Sequence, residues 1–217
     1  MISLRTEMKS GLITAGIAAM AFAAGVLAQG GRDASPTGTA ATQVGGHYEH
    51  VVGIVDPVYT SGKWIEITSG RPIKHGRDLW GSGADYGKML NSGAPVWRAG
   101  ANMTTQLKTE VPLVINGKTV APGTYTMFID LKPNKWTLIV SNWKAQTRHD
   151  PKNTAETWGS FGYTPDKDVV RAPMMASTLP WSVDQLTWGF TDMTDAGGKL
   201  MIMWDKTAAS VPFKVGM

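Results

Sequence analysis

From residue 62 onward, apolar and polar positions alternate with a period of two, as in strands that turn one face to a core and the other to water. In residues 63–69, Ile65 and Ile67 share one face, and Trp64, Glu66 and Thr68 share the other. Residues 104–111 set Leu107 and Val111 against Gln106, Lys108 and Glu110. Residues 113–120 are interrupted by Asn116-Gly117, a pair that tolerates positive φ at both central positions of a tight hairpin turn. Pro122-Gly123 marks the next turn, after which Tyr125, Met127, Ile129 and Leu131 fall on one side. Lys132-Pro133-Asn134-Lys135 turns again into Trp136, Leu138 and Val140. These pieces predict a meander of short antiparallel strands.

The remainder follows the same rule. Residues 169–172 read as a short strand stopped by Pro173. Leu186, Trp188 and Phe190 alternate, and Asp195-Ala196-Gly197-Gly198 then turns the chain. Leu200, Ile202 and Trp204 alternate with Met201 and Met203, so this strand is apolar on both faces and belongs in the middle of a sheet or under a loop. Val211, Phe213 and Val215 share the last face, and Pro212 calls for an edge. About nine to eleven strands and no helix of three turns predict an all-β, antiparallel two-sheet β-sandwich. A closed β-barrel is the alternative, because periodicity reports which residues face inward and not how a sheet closes.

Upstream the pattern changes. Arg5 and Lys9 precede residues 11–28, in which Thr14 is the only polar side chain. With Val26 and Ala28 at the third-last and last positions, this order is that of a signal peptide removed after Ala28. A retained membrane anchor is the competing reading, since a stretch of that length just crosses a bilayer. Residues 29–46 hold almost nothing to anchor a core and read as a flexible linker. A single domain is expected over 47–217, its folded part beginning between His47 and Gly62. The expected location is periplasmic or secreted, with no stable membrane insertion once the signal is cleaved.

Composition narrows the chemistry. The chain of 217 residues has no cysteine, which removes thiol nucleophiles and cysteine metal sites and is compatible with an oxidising compartment. Its formal charge of +4 falls by one when the signal leaves, and no run of lysine or arginine suggests a nucleic-acid partner. No cofactor is expected.

Polar chemistry concentrates in residues 71–102. Arg71, Lys74, His75, Arg77, Lys88 and Arg98 lie there with Trp80, Tyr86 and Trp97, in a segment too rich in glycine for a regular helix. Arg77, Lys88 and Arg98 are candidates to hold an anionic or polar group, with the three rings as walls. Arg71 and Asn102 complete the candidate ligand-binding set. The competing reading is a long loop whose tryptophans plug the core and whose arginines tie down carbonyls. Small polar ligands or envelope glycans are the candidate partners. Residues 142–168 form the second irregular stretch, with Trp143, Arg148, His149, Trp158, Phe161 and Tyr163. These rings make either a carbohydrate platform or a lid on the sandwich.

Catalysis is less well supported than binding. His75 and His149 are the candidate bases of a hydrolase, and a structural envelope role is a further alternative. No serine stands in a Gly-x-Ser-x-Gly elbow, and Gly81-Ser82-Gly83 lacks the lysine and helix start of a phosphate loop. His47-Tyr48-Glu49-His50 has no recognised zinc spacing, so no metal site is expected.

With these residues in place, the chain resembles the DUF2911 family of exported bacterial proteins, named only as a domain of unknown function. Gly70-Arg71-Pro72 with Lys74-His75-Gly76-Arg77 is similar to its RP-x-x-KGR signature, with His75 inserted or shifted within it. Asp85-Tyr86-Gly87-Lys88 resembles PYGK with Asp85 in place of proline, and residues 96–102 resemble VWRTGAN with Ala99 in place of threonine. The hairpin of residues 114–125, the strand of 136–142, residues 168–171 and Val211-Pro212-Phe213 extend the likeness over about 60–215. Residues 91–94 are an insertion. The resemblance implies export and a mostly β domain, and it lends no reaction or substrate. It carries over Arg71, Pro72, Gly76, Arg77, Tyr86, Gly87, Lys88, Trp97, Arg98, Gly100 and Asn102.

Overall fold

The alternating stretches fold into two antiparallel sheets that face each other across one core. The computed structural model describes residues 34–216. In chain order the strands are β1 (Thr37–Val44), β2 (His47–Glu49), β3 (Val58–Thr60), β4 (Lys63–Gly70), β5 (Ala101–Thr109), β6 (Leu113–Ile115) and β7 (Lys118–Val120). They continue with β8 (Gly123–Lys132), β9 (Lys135–Ser141), β10 (Lys144–Ala145), β11 (Glu156–Thr157), β12 (Asp168–Pro173), β13 (Met175–Thr194) and β14 (Gly197–Val215). One sheet has the order β1-β4-β5-β8-β9-β12, the other β13-β14-β6-β7. Each has two free ends, so the protein is an all-β sandwich and not a closed barrel. The strands outnumber those read from the sequence because several span only two or three residues, too few to show a period.

The turns form as their residues dictate. Asn116 and Gly117 both have positive φ, at 47° and 72°, and join β6 to β7 in the two-residue loop such a pair favours. Pro133-Asn134 closes the β8–β9 hairpin between the paired Lys132 and Lys135, with Asn134 at φ 57°. Ile65, Ile67, Leu107, Met127, Ile129, Leu138 and Val140 come from the larger sheet, and Leu186, Leu200, Ile202, Val211 and Phe213 from the smaller. Together they make the buried core. Pro212 sits in β14 just beyond Ser210, the last residue of that strand paired with β13 in this direction, and just before Phe213 pairs with Ile115. Its missing N–H therefore leaves no ladder bond unmade.

One expectation is corrected. Residues 29–46 were read as a flexible linker, yet β1 pairs along its whole length with β4, from Thr37↔Gly70 to Val44↔Lys63. Strand addition needs backbone groups rather than large side chains, and β4 supplies an open edge for them. The signal peptide expected over 1–28 and the start of the linker lie outside the described residues.

The outer face of the larger sheet is divided. Over β4 and β5 it is wet, and Glu66 and Lys108, directly opposite, form an ion pair of 3.4 Å. Over β8 and β9 it is covered, and Phe128 and Ile139 pack with Val96, Trp143 and Tyr163 in a second apolar cluster. The covering chain is the loop of residues 142–168. Among the described residues, no helix is long and apolar enough to cross a membrane.

Candidate functional site

Segment 71–102 spends most of its chemistry on the fold. The Arg71 Nε–H donates to the Leu186 carbonyl at 3.2 Å and Nη2 to the Thr187 hydroxyl at 3.3 Å, fastening the end of β4 to β13. Arg77 turns back on its own loop, donating from Nε to the Lys74 carbonyl at 3.0 Å and from Nη2 to the Ile73 carbonyl. Its guanidinium lies 5.8 Å from the centre of the Trp204 ring. Lys88 is exposed and pairs with Asp85 at 2.9 Å, a hydrogen bond and charge that hold the Asp85 carboxyl below its usual range. Lys74 meets Asp205 at 2.6 Å, and the Ser182 hydroxyl donates to the same oxygen. The Lys74 hydrogen bond keeps the Asp205 carboxyl below its ordinary pKa against the opposing effect of burial.

The rings of this segment pack into or against the core. Trp97 is only 1% exposed, and it exchanges both backbone hydrogen bonds with Ile129. Trp80 packs on Trp97, Trp136 and Trp204 with centroids 4.7–6.3 Å apart, and Trp97 stacks on Trp204 at 13°. The Tyr86 hydroxyl accepts the Trp136 indole N–H at 2.8 Å. Trp97 is thus part of the core, and Trp80 and Tyr86 pack against it partly buried, because a flat apolar ring gains more from burial between two sheets than from standing in water. Asn102, at φ 59°, donates its amide to the Ser35 carbonyl.

Arg98 is the exception. Its guanidinium is half-buried and faces no carboxylate among the described residues, and that burial lowers its pKa. Nη1 donates to the Asn102 carbonyl at 3.0 Å, and the group lies 5.7 Å from the centre of the Phe161 ring. A Cβ on Gly159 would come within 2.7 Å of the guanidinium carbon, and Gly159 also has φ 64°. Only glycine satisfies both conditions. Arg98 therefore joins segment 71–102 to loop 142–168.

Loop 142–168 is both lid and cleft. The buried amide of Gln146 staples it, donating to the carbonyls of Asp150, Asn153 and Glu156 and accepting the Asp150 N–H at 2.8 Å. The Thr104 hydroxyl of β5 donates to the Thr157 carbonyl at 2.9 Å, fixing the loop to the sheet. Between these anchors opens a cleft of about 230 Å³ lined by His149, Asn153, Glu156, Trp158 and Phe161, among others. The His149 ring lies 5.9 Å from Trp158, and its nitrogens make no hydrogen bond among the described residues. Phe161 is 49% exposed, unusual for so large an apolar ring. Asn153 donates to Glu156 at 3.0 Å, which orients that carboxylate.

The catalytic candidates do not come together. His75 stands at φ 50° in the turn after β4, its backbone N–H directed at Asp184, while His149 is in the lid. Neither imidazole bonds a carboxylate among the described residues. No group of three metal-ligating side chains is present among them either. Sequence reasoning missed Gln146, Asn153 and Glu156 as members of the cleft, and it also missed a polar cluster where the loop runs into β12. There the Tyr163 hydroxyl donates to Asp168 at 2.7 Å, and Arg171 bridges Asp168 and Asp130 at 2.9 and 3.0 Å. Burial, then the Asp168 hydrogen bond, pushes the Tyr163 hydroxyl pKa well up. Phe128 and Ile139, apolar on a face that alternation assigns to water, were the available signal that a lid covers it.

Fold and site together define a two-sheet β-sandwich protein with an aromatic cleft in a loop that lids one sheet. The chain belongs to the DUF2911 family, whose model, described as a protein of unknown function, matches residues 57–213. No curated protein and no solved structure matches it.

Proposed function

We propose that this is an exported, periplasmic or secreted binding protein that takes a small carbohydrate-like ligand in the cleft of loop 142–168. The observation that supports the reading is the pairing of two accessible rings, Trp158 and Phe161, with the unbonded imidazole of His149 and the oriented carboxylate of Glu156 in one cleft. Flat C–H faces of a sugar stack on such rings, while its hydroxyls exchange hydrogen bonds with the polar rim. At about 230 Å³ the cleft is smaller than the ~300 Å³ at which drug-sized sites begin, so it suits a short ligand of few rings. Arg98 lies against Phe161, its guanidinium 5.7 Å from the ring centre, and helps to hold that ring in place.

Titration of the purified protein with neutral and acidic mono- and disaccharides and cell-wall glycan fragments, followed by calorimetry, tests the reading. Saturable binding is expected, weakened at least about tenfold by Trp158→Ala and several-fold by His149→Ala. The reading is overturned if no sugar binds, or if His149→Ala and Trp158→Ala retain full affinity while folded. Fractionation of the expressing cells tests export, which a purely cytoplasmic product would refute.

A further inference from the structure

A second cleft lies on the opposite flank of the sandwich, where the edge strand β1 of the larger sheet approaches β13 of the smaller. Its volume is about 260 Å³, and its lining includes Gly38, Ile67, Ser69, Arg71, Thr187 and Trp188. We infer that this cleft binds a small monocarboxylate with an apolar body, its carboxylate held by Arg71.

Four observations carry the assignment. Arg71 is the one charged side chain in the lining, and no acid pairs with it among the described residues. Its guanidinium is already held in place, because Nε donates to the Leu186 carbonyl and Nη2 to the Thr187 hydroxyl, which leaves Nη1 without a partner among the described residues. A carboxylate can accept from the Nη1/Nη2 edge without disturbing those bonds, and a pre-aimed fork loses little freedom on binding. The room is built for this side chain: a Cβ on Gly38 would fall 2.4 Å from Arg71 Cδ.

The rest of the lining says what the ligand's body must be. Ile67 and Trp188 form an apolar floor, and the Trp188 indole N–H is already bound by the Ala99 carbonyl at 2.9 Å and is not available to a ligand. Ser69 brings a hydroxyl to the same lining, suited to a second carboxylate contact, whereas the Thr187 hydroxyl already donates to the Gln185 carbonyl at 2.9 Å. One cation in a half-closed cleft matches one negative charge, whereas a phosphate dianion would leave a charge unmatched among apolar neighbours. The cleft depends on β1, which lies before residue 57, where the family match begins.

The test is titration of the purified protein with acetate, butyrate, benzoate and inorganic phosphate, followed by two-dimensional NMR and calorimetry. Butyrate or benzoate should bind best, shifting the resonances of Thr187 and the Arg71 Nε–H. Arg71→Lys, which keeps the charge and loses the fork, should weaken binding at least about tenfold, and Lys88→Gln should leave it unchanged. Should Arg71→Lys not fold, the shift map on the unaltered protein decides alone. The assignment is overturned if no carboxylate saturates by about 10 mM, if the shifts fall elsewhere, if phosphate binds more tightly than benzoate, or if folded Arg71→Lys binds as well as the unaltered protein.

Discussion

Segment 71–102 and loop 142–168 are the two irregular stretches of this sandwich, and they use similar residues in opposite ways. The first holds more net positive charge, yet its guanidiniums end on backbone carbonyls and its tryptophans in or against the core. The second holds fewer basic residues, but it leaves His149 unbonded and Phe161 exposed around a cleft. The difference lies in where each is anchored. Segment 71–102 runs along the core, where its tryptophans meet other tryptophans and its guanidiniums donate to backbone carbonyls. Loop 142–168 is fixed by the Gln146 staple, by Thr104 and by the Trp143 and Tyr163 rings, so the residues between those anchors need bond to nothing. A dense cluster of functional side chains in sequence is therefore a poor guide to a site when a sheet end lies within reach.

Four measurements would break or sharpen that contrast. The largest effect is expected from Trp97→Ala, which removes the buried ring that packs on Trp80 and Trp204 and should cost about 3–5 kcal/mol in urea unfolding. A change below about 1 kcal/mol would remove Trp97 from the core role assigned to it. Next comes Gly159→Ala, where a methyl would meet the Arg98 guanidinium at a positive φ. A loss of about 1–2 kcal/mol in thermal or chemical unfolding is expected, with weaker sugar binding at the neighbouring cleft.

Acidification should reveal the Lys74–Asp205 pair. Because its folded pKa is depressed, Asp205 contributes stability that is fully present above the unfolded aspartate value of about 3.9 and is lost as pH falls through the lower folded value. Lys74→Met should flatten that acid limb of the stability profile; an unaltered limb would show that the pair does not couple folding to pH. The smallest effect belongs to Lys88→Gln. Its pair with Asp85 is exposed and screened by water, so neither the melting temperature nor any affinity should move. A marked loss of sugar binding in that variant would move the sugar site from loop 142–168 to segment 71–102.

Much of the fold was legible beforehand because it depends on local rules. Two-residue periodicity told which side of β8 and β9 faces the core, and Asn116-Gly117 told where a hairpin must close. The edge strand β1 was not legible, since Thr-Gly-Thr-Ala-Ala-Thr-Gln-Val carries little apolar weight and gains its place through backbone bonds to β4. The site was legible in part. Trp158, Phe161 and His149 stood out as rings and a titratable group in a loop, but Gln146 and Glu156 had no pattern to mark them.

By itself, then, the sequence determined an all-β chain, its inward faces, its turns and its family likeness, because each follows from the order of neighbouring residues. Only the tertiary structure decided which cations meet a carboxylate, as Lys74, Lys88 and Arg171 do, and which, like Arg71 and Arg98, have none among the described residues. That outcome depends on groups more than a hundred residues away for Arg71, and some sixty away for the Gly159–Phe161 turn beside Arg98. Long-range placement of donors and acceptors, not local composition, separates a fold anchor from a binding group.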